Sequence, residues 1–267
     1  MNWYSVGLAA ASGGIAALIA SLIFGKKPEK KTAYTIVVVV LFVVLNTLSK
    51  QFILPKLNAY KAVADIESSF NEIPAFASIK KYEPETYQRL VDSLAEVTNQ
   101  GYNQQQAIDL VRTQISGLVE SRMPHASDEA ILTYMSVMVT EMDELHKQGK
   151  GLCYKLLLPQ IEGGIDGRKV FSKETQKKDL MALDEIIKTS NTKKTIPSES
   201  AVMPSLEPIF VSLYSKFGDD VAMIENPTAT NVDKDKVCSI TMDLYKEILA
   251  LPPEQAASAL RWMFGQG

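Results

Sequence analysis

Two apolar runs at the start of the chain limit its folds more than any other feature of its 267 residues. From Trp3 to Phe24 there is no charged side chain. A helix of that length is roughly 33 Å long, against about 30 Å for the hydrocarbon core of a bilayer. A second run covers about 33–54, with the aliphatic stretch Ile36 to Leu45 at its centre. The short connection between them carries Lys26, Lys27, Lys30 and Lys31. Residues 1–54 are therefore expected to form a two-helix transmembrane hairpin, with spans at about 3–24 and 33–54. A cleavable signal peptide would call for a basic leading segment and a shorter apolar core. Met1 to Val6 has no basic side chain, so the hairpin is the better reading.

Positive charge near span ends favours the cytoplasmic side. Those four lysines act as topology determinants and place the turn in the cytoplasm. Both termini and the remaining chain are then expected on the extracytoplasmic side, in the inner membrane if the source is bacterial. Lys50, Lys56 and Lys61 follow the second span and pull the other way.

The first span is rich in small residues, with Gly7, Ala10, Ala11, Gly13, Gly14 and Ala17 falling at helical spacings. Small residues let helix backbones approach closely in lipid, where no hydrophobic effect drives association. They are expected to pack against the second span, another membrane protein or a second copy. Asn46 lies within the second span and is expected to hydrogen-bond across the helix pair.

After Pro55 the apolar residues recur at helical spacing. Leu57, Tyr60, Val63, Phe70 and Ile73 form one stripe that can carry the second span outward to Pro74. Tyr87, Leu90, Val91, Leu94 and Val97 form another, ending at Gly101. Asn103 with Gln106 has capping-box spacing before a helix that runs towards Pro124. Ser127 caps a further helix, with Ile131, Met135, Met138, Met142 and Leu145 along it and Gly149 as its stop. The methionines read as core, although Met-rich faces also bind partner helices. Three such helices with short turns suggest antiparallel neighbours in a three- to four-helix bundle over 55–150.

Residues 151–267 read as a second helical part, or as one domain with the first. A helix opens at Ser172; residues 190–205, with two prolines, read as a connector; Ser205 caps the next helix; Pro253 opens the last. No stretch alternates as a strand would, so the fold class is mainly α: a transmembrane hairpin followed by a multi-helix soluble domain.

The charge and motif inventory excludes more functions than it suggests. Residues 55–267 hold 23 basic and 30 acidic side chains, which argues against nucleic acid as a partner. Cys153 and Cys238 lack the spacing of a metal site and form a candidate disulfide in an oxidising compartment. His146 follows Glu141, Asp143 and Glu144, but the order is not that of a zinc motif, and a charged, solvated helix end is the simpler reading. Glu162-Gly-Gly-Ile-Asp-Gly167 lacks phosphate-loop spacing and reads as a surface loop. No catalytic residue, metal ligand or cofactor site emerges.

The expected function is a membrane-anchored extracytoplasmic binding or accessory subunit of an envelope complex. Its expected partners are the lipid bilayer and another membrane or envelope protein, or a second copy of itself. The alternatives are an envelope hydrolase with a carboxylate site assembled from distant residues, an immunity-type protein that binds a toxin, or a sensor acting through the hairpin. A deep pocket with converging carboxylates would favour the envelope enzyme, and a filled helical core with only shallow surface grooves would count against it.

Overall fold

Helix is the only regular backbone structure among the described residues of the computed structural model, which are 3–24, 31–100 and 104–266. Lys26, Lys27 and Lys30 lie outside them, while Lys31 is exposed at the start of a helix. The chain divides into two compact units, residues 1–66 with 95–101 and residues 67–94 with 102–267.

In the first unit, α1 (Trp3–Phe24) packs along α2 (Lys31–Leu48). Both α1 and the run through α2 are long and apolar enough to cross a membrane, by length and composition. The small residues of α1 divide between two faces. Ser12, Ala16 and Ala20 are buried, and Gly13 faces the Phe42 ring. Ala17 is half-buried, whereas Gly7, Ala10, Ala11 and Gly14 are exposed. Ser12 and Ser49 supply a polar contact between the helices, their hydroxyl oxygens 3.4 Å apart. The Oδ1 of Asn46 is buried and has no hydrogen-bond partner among the described residues.

The second apolar run does not stop at Pro55. It passes through a π-helical turn (Ser49–Ile53) into α3 (Leu54–Asn71). Pro55 has no N–H for an α-helical bond to the preceding turn, and a π turn lets the backbone open locally without ending the helix.

In the second unit, Pro74 opens α4 (Pro74–Tyr82), a short helix missing from the sequence reading. Its Phe76 stacks on Phe70, with ring centroids 3.9 Å apart. Next come α5 (Pro84–Asn99), of which residues 84–94 belong to this unit, α6 (Gln104–Arg122) and α7 (Asp128–Gln148). Ser127 caps α7 by accepting from the Ala130 N–H, and Gly149, at φ 70°, ends it. These three helices do not form a consecutive antiparallel bundle. Instead α7 packs chiefly against α11 (Lys173–Thr189), α13 (Lys234–Leu249) and α14 (Pro253–Phe264). Ile131, Met135, Met142 and Leu145 are almost fully buried there.

Short helices α8 (Leu152–Leu157), α9 (Pro159–Glu162) and α10 (Gly167–Val170) connect α7 to α11. Helix α12 (Glu199–Phe217) starts six residues before Ser205, inside the expected connector. Pro204 and Pro208 lie within it on the exposed side, where water can satisfy the carbonyls they leave free. Val202, Leu206, Ile209 and Leu213 form its buried stripe. Ser205 caps nothing and instead lies 3.3 Å from Gln255 Oε1.

Two long-range links tie this unit together. Arg261 of α14 is buried and donates to the carbonyls of Pro124 and Ala126 and to Asp128 Oδ1, bracing the turn before α7. Cys153 of α8 is disulfide-bonded to Cys238 of α13, with Cα atoms 5.9 Å apart, in a cluster with Met142, Leu145, Leu156, Ile165 and Phe171. Bridging a sequence separation of 85 residues restricts the unfolded chain and stabilises the fold by up to about 4.6 kcal/mol. Urea denaturation of the full chain with and without reductant should therefore show a clear drop in midpoint on reduction, and the paired Cys153→Ser/Cys238→Ser variant should match the reduced protein. Coincident midpoints would assign the bond no stabilising role.

Candidate functional site

A cavity of about 520 Å³ lies within the second unit, between α6, α7, α11 and the loop that follows α9. Phe76 of α4, Leu94 of α5, Val111 and Ile115 of α6, Met138 of α7 and Leu180 of α11 make its walls largely apolar. Helical phase sets which polar groups enter it. Tyr134, Met138 and Glu141 sit four and three residues apart and share one face of α7, while Gln176 and Asp179 do the same on α11. Arg112 projects from α6, one residue after Val111.

The Gly-rich segment is part of this wall and not a plain surface loop: Ile165 and Asp166 are buried, and both line the cavity. A left-handed backbone explains Gly163, and close approach to α6 explains Gly164. Gly163 has φ 74°, and the Gly164 N–H donates to Asp109 Oδ1 at 3.0 Å. A Cβ on Gly164 would stand 2.6 Å from that oxygen, so no larger residue fits without displacing Asp109. Beyond the turn, Asp166 accepts from Arg168 Nε and Nη2 at 3.0 and 3.1 Å, and Lys169 Nζ lies 3.4 Å away. Hydrogen bonding from Arg168 holds the Asp166 carboxyl below the usual carboxylate range.

Glu141, Asp179 and Arg112 are held differently. None of them makes a hydrogen bond or ion pair among the described residues. Glu141 is 4% exposed, so bulk water does not solvate it. Desolvation, reinforced by the negative charge of Asp179 and opposed by Arg112, pushes its carboxyl up to about 9. Burial pushes Asp179 up as well, against the pull of Arg112. Asp179 and Tyr134 are only half-buried by accessible surface, yet desolvation dominates both, because the surface they keep faces the cavity. Two carboxyls thus share one guanidinium in an apolar space, leaving one surplus acid.

The residues singled out in the sequence fall elsewhere. The bonded pair Cys153 and Cys238 belongs to the cluster behind the cavity, which contributes Leu156, Ile165 and Phe171 to the wall. Gly7, Ala10, Ala11, Gly13, Gly14, Ala17 and Asn46 belong to the first unit. His125 Nδ1 accepts from the Lys194 N–H, and His146 Nδ1 is buried without a hydrogen bond among the described residues. No three His, Cys, Asp or Glu side chains among the described residues are grouped to hold a metal ion.

The sequence did carry a signal for Glu141. It falls in phase with Tyr134, Met138 and Leu145 on an otherwise apolar face of α7, the mark of a charge directed inward. Comparison with known protein families, with curated proteins and with solved structures finds no match to this chain.

The raised Glu141 carboxyl has a consequence for stability. The folded chain keeps this proton up to about 9, whereas the unfolded chain releases it near 4.5. Between those values the folded state binds more protons, so stability falls as pH rises, by up to about 1.4 kcal/mol per pH unit. Urea midpoints should accordingly be lower at mildly alkaline than at mildly acidic pH, and Glu141→Gln should flatten the dependence. A variant with the same slope as the wild type would show that Glu141 ionises freely in the folded chain.

Proposed function

We propose that this protein is a membrane-anchored binding subunit of the cell envelope, whose helical body lies outside the cytoplasm and takes up a small amphipathic molecule. The observation that carries the binding role is the cavity, with apolar walls and unpartnered Glu141, Asp179 and Arg112 at its lining. Its volume is within the range of about 300–1,000 Å³ typical of small-molecule sites, which also combine apolar walls with a few fixed polar groups. The location rests on the two membrane-length helices, the lysines between them in the sequence, and the disulfide, a bond typical of oxidising compartments.

A protein-docking role has its own support. Gly7, Ala10, Ala11 and Gly14 give α1 an exposed small-residue face, and nothing lies within 4 Å of a Cβ built at Gly7 or Gly14. Such a face suits close helix packing in lipid, which fits an accessory subunit of a membrane complex. The hydrolase alternative draws on the same cavity, in whose lining the carboxyls of Glu141 and Asp179 come together.

Thermal-shift screening of the full chain in lipid nanodiscs tests the binding role, using amphipathic small molecules and a cavity-filling Val111→Phe/Ile115→Trp variant. A ligand at about one hundred times its Kd stabilises a protein by about 2.7 kcal/mol. Some compounds should raise the melting temperature of the wild type and leave the filled variant unchanged. Identical responses from both proteins to every compound would rule the cavity out as the binding site.

A further inference from the structure

Given the reading of the cavity as a ligand site, on which this step rests, we infer that its ligand is an amphipathic organic cation, with an ammonium-type head group at Glu141 and Asp179 and an apolar body against Val111, Ile115 and Met138. Charge counting leads there. Of the charges that line the cavity, Asp166 and Arg168 cancel as an ion pair; Lys169 also reaches Asp166, but it is exposed to water and does not line the cavity. Arg112 can offset only one of the two remaining carboxyls. Glu141 is more than nine-tenths buried, lines the cavity and has no hydrogen-bond or ion-pair partner among the described residues.

A lone buried carboxylate is strongly unfavourable, so the site must be neutralised by a bound proton or by a bound cation. The proton serves when the cavity is empty, and burial of Glu141 favours it. An organic cation does the same while also covering apolar wall. An anionic ligand would face Arg112 but would also place its charge beside Asp179, and would leave Glu141 able to act only as a neutral carboxyl. A bare metal ion would lack a third ligand of the usual kind among the described residues.

Binding then exchanges one cation for one proton. As the ammonium group seats, Glu141 passes its proton to bulk water and becomes a carboxylate, and the charge of the site is unchanged. The other groups that act on Glu141 are Asp179 on α11, Arg112 on α6 and Glu144 on its own helix; Tyr134 lines the same cavity from α7.

The test uses three compounds that share one apolar body and differ in head group: 1-adamantylamine, 1-adamantanol and 1-adamantanecarboxylate. Each is titrated calorimetrically into the full chain in lipid nanodiscs, with empty nanodiscs as the reference and in two buffers of different ionisation enthalpy. The amine should bind most tightly at neutral pH and release about one proton per site. Glu141→Gln and Asp179→Asn each remove a carboxyl that would carry negative charge against the bound ammonium, and each should weaken the amine at least about tenfold while sparing the alcohol. Arg112→Gln should tighten the amine, a change of sign that damaged folding would not produce. If the carboxylate or alcohol binds as well as the amine, or Glu141→Gln leaves the amine unaffected, the cation assignment is overturned while the cavity remains a ligand site. If none of the three binds above the empty nanodisc, both the assignment and the ligand-site reading fail.

Discussion

Burial of α7 on several sides at once fixes the position of Glu141, the group on which the chemistry of the cavity turns. Ile131, Met135, Met142 and Leu145 are held by α11, α13 and α14, and Arg261 braces the turn from which α7 starts. With Met142 and Leu145 buried, helical phase directs Glu141 into the cavity rather than onto the outer face of α7. Its carboxyl must lie where α6 and α11 leave space between them. The disulfide cluster closes the far side through Ile165 and Phe171, so the covalent link and the charged site share one stretch of wall.

This arrangement is unfavourable for the empty protein. Well-packed apolar side chains at 141 and 179 would remove an electrostatic penalty and fill volume, as replacements of buried ionic groups often do. Proteins keep such groups where function needs them, and stability and activity then trade against one another. The contrast with Asp184 is instructive. That buried carboxylate accepts from Ser78 and Lys188, each at 2.5 Å, and joins α4 to α11 as a structural bond. Glu141 and Asp179 have no comparable partners among the described residues, and that difference from a structural brace supports the proposed binding role.

Helix ends were legible in the sequence wherever a cap states its own geometry. Ser127, Ser172 and Gly149 each mark the end they occupy, and Pro253 opens α14. Prolines misled where tertiary burial overrides them. Val202 and Leu206 bury one side of α12 so fully that Pro204 and Pro208 are tolerated on the other. Helix α4 was hidden by its nine-residue length between two prolines. The cavity was not legible as a site, because Arg112, Glu141 and Asp179 meet only through packing between helices distant in sequence. Glu141 interrupting the apolar face of α7 was the one local sign. The open face of α1 was likewise hidden, since spacing alone does not tell which small residues α2 covers.

One carboxyl group, Glu141, keeps its proton in neutral solution because it is desolvated in a largely apolar cavity. Infrared spectroscopy of the full chain reads this directly, since a protonated carboxyl and a carboxylate absorb at different frequencies. At neutral pH, with no ligand added, the account predicts a protonated-carboxyl band equivalent to one group per chain, absent from Glu141→Gln. A neutral-pH spectrum showing only ionised carboxylates, unaltered in that variant, would contradict it.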